Sequence, residues 1–203
     1  MGGNVKSAVT PKDPYRVNFT PADIPSIPDH SMQNPGPSGG GANRAGYARA
    51  ILKKTVTVSW DNGPARADGM VPFFATAVNV DFVLDPITVA ISSDYAKGSC
   101  PYRVTLRHEI EDHVKPYIKI FLSYRETLVN QLNTITYPTK STPTWIKPKS
   151  ITALQNALGE RLKKTILDVV SKLKAEMDAD REAKDSPNAY KAIYRQCSPD
   201  EWR

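Results

Sequence analysis

The stretch CPYRVTLRHEIEDHVKPY, residues 100–117, contains two of the three histidines of this 203-residue chain, His108 and His113. It differs by one residue from the motif H-E-x-x-H, in which two histidines on one face of a helix bind zinc. Here the second histidine follows the first by five residues, whereas the motif has a spacing of four. Five residues advance a regular α-helix by about 140° beyond a full turn. The two imidazoles therefore reach a single ion only if the helix changes locally.

Two local geometries would still give a metal site. A single π-helical turn would bring His108 and His113 back to one face, and Pro116 favours it by disturbing the hydrogen bonding of this turn. A regular helix would instead pair His108 with Asp112, since a carboxylate is an acceptable zinc ligand. Glu109 is placed as the general base in both geometries. The third interpretation is an ordinary solvated helix face, on which Glu109 and His113 form an ion pair.

A third ligand is not evident from the motif. The remaining histidine, His30, lies far away in the N-terminal segment. Acids are the alternative, and they occur at these positions: Glu126, Glu176, Asp178, Asp180, Glu182 and Asp185. If two long helices run antiparallel, the acidic end of the second returns near His108. We therefore predict a zinc site formed by His108, by Asp112 or His113, and by one such acid.

Apolar periodicity predicts two long helices around this stretch. In residues 102–135, and again in residues 151–177, apolar side chains recur every three or four positions, as one buried helix face requires. Ser150 is a plausible N-cap for the second helix. The first stripe contains Val114, Tyr117, Phe121, Tyr124, Leu128, Leu132 and Ile135; the second contains Ile151, Leu154, Leu158, Leu162, Ile166, Val169, Leu173 and Met177. The simplest arrangement is an antiparallel helix pair packed on a sheet.

Residues 48–93 predict the sheet. The runs 55–60, 77–82 and 87–92 are rich in β-branched residues, the last two alternate between apolar and polar, and turn residues separate all three. Such alternation indicates a small, mostly antiparallel sheet with one solvent-exposed face. With the two helices, this predicts an α+β domain over residues 47–203.

Residues 1–46 predict an extended tail. They contain seven prolines and the run GPSGGGANRAG, and they show no sustained apolar period. Five apolar residues, Tyr15, Val17, Phe19, Ile24 and Ile27, are spaced like anchors of a peptide lying in a groove. We therefore predict that the tail binds a protein partner or a neighbouring subunit.

The composition limits the classes of partner and the cellular compartments that we expect for the protein. The net charge is +6 at pH 7, but lysines alternate with acids and no Arg-rich block occurs, which argues against nucleic-acid binding. No apolar run reaches the roughly 18 residues of a membrane helix, and the N-terminus as given has no signal-peptide core. Cys100 and Cys197 form either a disulfide or two free thiols. A disulfide would place the protein in the periplasm or outside the cell if a leader was removed; otherwise it is cytoplasmic or part of a larger particle.

The order of these parts resembles a bacterial family, a domain of unknown function described as secreted zinc-dependent proteases. The shared features are short strands, Cys100 before a helix, the core Val104–Glu109 followed by His113-Val114, and two long helices. The resemblance covers roughly residues 50–200. It implies a zincin-like fold, His108 as a zinc ligand, Glu109 as the general base and His113 as the second ligand across the extra residue.

Two functions of different classes follow. The extra residue, the missing third histidine and the tail favour a non-catalytic, degenerate zincin-like protein that acts in an assembly through residues 1–46. The alternative is a zinc-dependent peptidase that uses the HEIEDH helix. Bound metal and a cleft would favour the enzyme, whereas a tail reaching outward would favour the assembly component.

Overall fold

A computed structural model describes residues 10–26, 28–32 and 45–202. Its strands are β1 (Tyr15–Thr20), β2 (Asp29–Met32), β3 (Gly46–Asn62), β4 (Val71–Ser92) and β5 (Thr144–Ile146). Its α-helices are α1 (Cys100–His108), α2 (Lys115–Leu132), α3 (Ile151–Lys184) and α4 (Pro187–Tyr194). A π-helical turn, Glu109–Val114, joins α1 to α2, and 3₁₀ turns form at Pro148–Ser150 and Pro199–Trp202. Helices and a sheet are thus both present, as the sequence predicts.

The long strand β4 is the centre of the sheet, because β1, β2, β3 and β5 all pair with it. The short strand β5 runs antiparallel to β4, but β2 runs parallel to it, with Asp29 opposite Ala90. The prediction of a mostly antiparallel sheet is therefore wrong. Alternation of side chains identifies strands but not their direction, and the chain between β2 and β4 is long enough for the crossover that a parallel pair needs.

The described residues divide into two compact units. The first contains the residues up to Thr20, Lys54–Phe82 and Ser123–Lys172. The second contains the residues from Pro21 to Lys53, Val83–Leu122 and those from Leu173 onward. None of the helices in the described part of the chain combines the length and the apolar character that a membrane crossing requires.

In the first unit, part of the predicted tail belongs to the core. Tyr15 is only 2% exposed, and its hydroxyl donates to the carbonyl oxygen of Ile135 over 3.0 Å. Val17 is also buried, and Pro14 accepts a hydrogen bond from the backbone of Val78. Residues 15–20 are therefore a sheet strand and not a free tail, because their alternating apolar side chains find a buried face. The tail residues 1–9, 27 and 33–44 lie outside the described residues.

In the second unit, a disulfide fixes the C-terminal segment. Cys100 and Cys197 are bonded across a sequence separation of 97 residues, so the alternative of two free thiols is wrong. Ser99 caps α1 by accepting from the backbone of Tyr102, and Ser186 caps α4 by accepting from that of Ala189. The capped N-terminus of α1 is thereby tied to the chain just beyond α4.

We expect removal of this disulfide to be costly. The double variant Cys100→Ala, Cys197→Ala should lower the free energy of unfolding by about 4 kcal/mol, because the unfolded chain regains the freedom of a long loop. Urea titration of the variant and of the oxidised parent measures the difference. Equal midpoints and slopes would contradict the expectation.

We also expect Tyr15 to act as a core residue. Tyr15→Ala should lower the free energy of unfolding by about 3 kcal/mol, since it removes a buried ring and its hydrogen bond. Ile24, which is 43% exposed, provides the control: Ile24→Ala should change stability by less than about 0.5 kcal/mol. Equal stability of the two variants would show that the segment does not contribute to the core.

Candidate metal centre

The π-helical turn brings the two histidines of the motif together. The backbone N–H of Lys115 donates to the carbonyl of Ile110, five residues earlier, which is the bond of a π-helix. The imidazoles of His108 and His113 consequently face each other, with 3.2 Å between their Nε2 atoms. Pro116 has no backbone N–H, so the irregular hydrogen bonding of this turn leaves no donor of Pro116 unpaired. Of the two helix geometries that the spacing allows, the chain adopts the π-turn.

A carboxylate from the end of α3 completes the group. Asp185 follows α3 directly, and its Oδ1 lies 3.1 Å from Nε2 of His113 and 3.6 Å from Nε2 of His108. The hydroxyl of Tyr190, on α4, donates to an oxygen of the same carboxylate over 3.1 Å. The acidic end of the second long helix therefore returns to His108, as the helix-pair argument predicts, and Asp185 is the acid that reaches the histidines.

The three converging atoms fit a zinc ion. Ligands around tetrahedral zinc, at bonds of about 2.0–2.1 Å, lie about 3.3 Å from one another. The edges of the triangle formed by the two Nε2 atoms and Oδ1 measure 3.1, 3.2 and 3.6 Å. Two imidazoles and one carboxylate are also the donor set of a known class of catalytic zinc sites, which leave a fourth position open.

Asp112 lies on the other side of the His108 ring. Its Oδ2 is 2.8 Å from Nδ1 of His108, and its side chain is 46% exposed. The second geometry, with Asp112 as a ligand on a regular helix, is therefore not the one found. A carboxylate at Nδ1 can accept the proton of that atom, which would leave the lone pair of Nε2 available to a metal ion; this is the usual support of a metal-binding histidine.

Glu109 lies beside the two histidines. The three side chains can each present a ligand-type atom within 4.8 Å of the others. His108, Glu109 and His113 are 5%, 2% and 2% exposed. The interpretation as a solvated helix face is wrong, because ionisable side chains are buried at this level only when they are paired or functional.

Hydrogen bonds set the charge of the group. Burial alone would lower the pKa of His108, but hydrogen bonds with Asp185 and Asp112 outweigh it and raise that pKa above its ordinary value. Burial would raise the pKa of Asp185, yet its bonds with the two histidines hold the pKa well below the usual range. Asp185 is therefore an ionised carboxylate at neutral pH, as a metal ligand has to be.

A cavity of about 250 Å³ opens onto this group. Its lining comes from β3 (Gly46, Tyr47, Ala48, Arg49), from the π-turn and α2 (Glu109, His113, Tyr117) and from the end of α3 onward (Arg181, Asp185, Tyr190). Gly46 lets β3 begin here, because a Cβ would come within 2.8 Å of both the Ala90 carbonyl and the Thr105 methyl group. Burial raises the pKa of Tyr117 to about 12, so its hydroxyl is a neutral hydrogen-bond donor.

The chain matches no family model, no curated protein and no solved structure. The resemblance to secreted zinc-dependent proteases therefore stays a prediction.

Several site residues were absent from the sequence-based prediction. Tyr190 and Arg49 carry no motif, and their place depends on how α4 and β3 pack. His30 is not part of the site, because its Nε2 lies 2.8 Å from the carbonyl oxygen of Tyr95 and its ring packs against Tyr102. The aromatic residues of the C-terminal segment signal packing against the body, but not which of them reaches the site.

We expect the purified chain to contain about one zinc ion, held by two imidazoles and one carboxylate. His108→Ala and Asp185→Asn should each abolish retention of zinc during gel filtration, because two ligands hold the ion far more weakly than three. Elemental mass spectrometry of protein without a histidine tag gives the stoichiometry.

Two controls accompany the measurement. Glu109→Gln should keep the ion, and so should Asp178→Asn, since Asp178 pairs with Arg181 at 3.2 Å instead of reaching the histidines. Retention of zinc by Asp185→Asn at the level of the parent would exclude the three-ligand site.

Proposed function

We propose that this chain is a zinc-dependent hydrolase of the peptidase type. The observation that carries the proposal is the triangle of His108 Nε2, His113 Nε2 and Asp185 Oδ1, with edges of 3.1–3.6 Å and the buried carboxylate of Glu109 beside it. A salt-bridged helix surface needs neither such convergence nor such burial.

Zinc bound to these residues would polarise a substrate carbonyl and lower the pKa of an attacking water. Glu109 would take the proton from that water and deliver it to the leaving amine. Asp112 would keep His108 in the tautomer with a free Nε2, and Tyr190 would orient the carboxylate of Asp185. The roles of Asp112 and Tyr190 use hydrogen bonds that are already present in the fold.

An extended peptide suits the surroundings of the site. Within the described strands, β3 pairs only with β4, and residues 46–49 of β3 line the cavity. An unpaired strand edge can bind a peptide backbone by strand addition. This favours a peptide over a small compact substrate.

The competing proposal, a non-catalytic assembly component, has less support. It depended on the tail reaching a partner, whereas residues 15–20 lie in the chain's own sheet. It also depended on the extra residue separating the two histidines, which the π-turn compensates. The disulfide supports a location in an oxidising compartment such as the periplasm or the cell exterior.

We expect Glu109→Gln to lower the rate of peptide hydrolysis by about 10²- to 10⁴-fold, because it removes the general base, while zinc stays bound. Mass spectrometry of a peptide library digested by the zinc-loaded protein measures the rate. Glu111→Gln is the control, since Glu111 is exposed and pairs with Lys115 at 2.7 Å. Zinc-loaded protein that cleaves no peptide would overturn the proposal.

A further inference from the structure

A second cleft continues from the cavity at the metal centre. It has a volume of about 390 Å³ and shares four lining residues with that cavity: Ala48, Arg49, Tyr117 and Arg181. One wall is residues 48–52 of β3, and the other is the α3 segment that carries Lys174, Met177, Asp178 and Arg181. A substrate held at the metal centre would therefore extend into this cleft.

The charges of the cleft do not balance. Arg181 is neutralised by Asp178, with 3.2 Å between Nη2 and Oδ1. The guanidinium of Arg49 and the ammonium of Lys174 make no hydrogen bond or ion pair with any residue of the described part of the chain. The rest of the lining is mainly apolar and includes Ile51, Leu52, Leu84 and Met177. Two cations without a partner among the described residues therefore line the cleft beside the candidate metal centre.

Arg49 occupies the junction of the two spaces, since it lines both. A guanidinium presents its N–H groups as a planar fork that matches a carboxylate with two parallel hydrogen bonds. At this position the guanidinium of Arg49 can bind an anionic group of a bound peptide. Lys174 adds a second positive charge to the same cleft.

We propose that the cleft binds a carboxylate of the substrate through Arg49, so that hydrolysis is directed to bonds beside an acidic group. The inference rests on the proposed hydrolase and names its substrate class. The carboxylate belongs either to an Asp or Glu side chain or to the C-terminus of the peptide. Both present the same chemistry to Arg49.

Matched peptides separate these two sources. The full, oxidised, zinc-loaded chain is given acetylated peptides that contain either Glu or Gln at one position, each with a free or an amidated C-terminus. Binding is measured by calorimetry with the Glu109→Gln variant, and kcat/KM with the parent. Loss of preference on Glu-to-Gln replacement identifies the side chain, and loss on amidation identifies the C-terminus.

Arg49→Glu should weaken binding of the preferred acidic peptide by about 10- to 100-fold, the effect of losing a charge-assisted pair, and should leave the uncharged analogue nearly unchanged. Arg49→Gln should bind the acidic peptide more weakly than the parent does and more tightly than Arg49→Glu does. Arg16→Glu is the control for the change of net charge, because Arg16 is exposed in the first unit and pairs with Asp13. Melting temperatures confirm that the variants fold.

The experiment distinguishes failure of the carboxylate cleft from failure of the proposed hydrolase, because binding and cleavage are measured independently. Preferential binding of acidic peptides that disappears in Arg49→Glu, without any hydrolysis, would refute the hydrolase and retain the carboxylate cleft. Hydrolysis without preference for a carboxylate, or a preference unchanged in Arg49→Glu, would overturn the cleft and retain the hydrolase. Absence of both binding preference and hydrolysis would overturn the two together.

Discussion

The π-turn at Glu109–Val114 is the constraint on which the candidate site depends. In a regular helix the side chain of His113 would point well away from His108, and one of them would face solvent or the wrong part of the core. One bond from Lys115 N–H to Ile110 C=O corrects this. Both histidines then turn inward, and the burial of Glu109 follows from the same geometry. The arrangement costs little where it stands, because Pro116 has no donor to lose.

Asp185 depends on a different constraint, the joint between α3 and α4. Its backbone N–H still bonds to Arg181, in the last turn of α3, and Ser186 beside it already caps α4. The carboxylate therefore sits on a fixed corner of the chain. The Tyr190 hydroxyl, on α4, donates a hydrogen bond to this carboxylate. The disulfide between Cys100 and Cys197 connects the segment beyond α4 to the start of α1. Hydrogen bonds on both sides of Asp185 therefore define where its carboxylate lies.

The sequence predicts the elements that have a periodic apolar pattern and does not predict the features that depend on tertiary packing. The two long helices follow from their apolar period, whereas the π-turn was one of two metal-binding geometries that the histidine spacing allowed. Asp185 was one of several acids, because nothing local distinguishes the one whose corner meets the histidines. The strand at Tyr15 was hidden by the surrounding prolines, and the direction of β2 has no signature in its own residues. Arg49 becomes notable only once β3 lies beside the candidate metal centre.

A π-turn is an α-helix that has accepted one additional residue without changing what lies before or after it. Since α1 and α2 keep their register on either side, loss of Glu111 would leave the sequence His-Glu-Ile-Asp-His on an ordinary helix, with Phe121 and Leu128 still facing the core. The present spacing and H-E-x-x-H are thus separated by a single deletion in an exposed position. A pattern that fixes the number of residues between the two histidines would treat two nearly equivalent arrangements as unrelated.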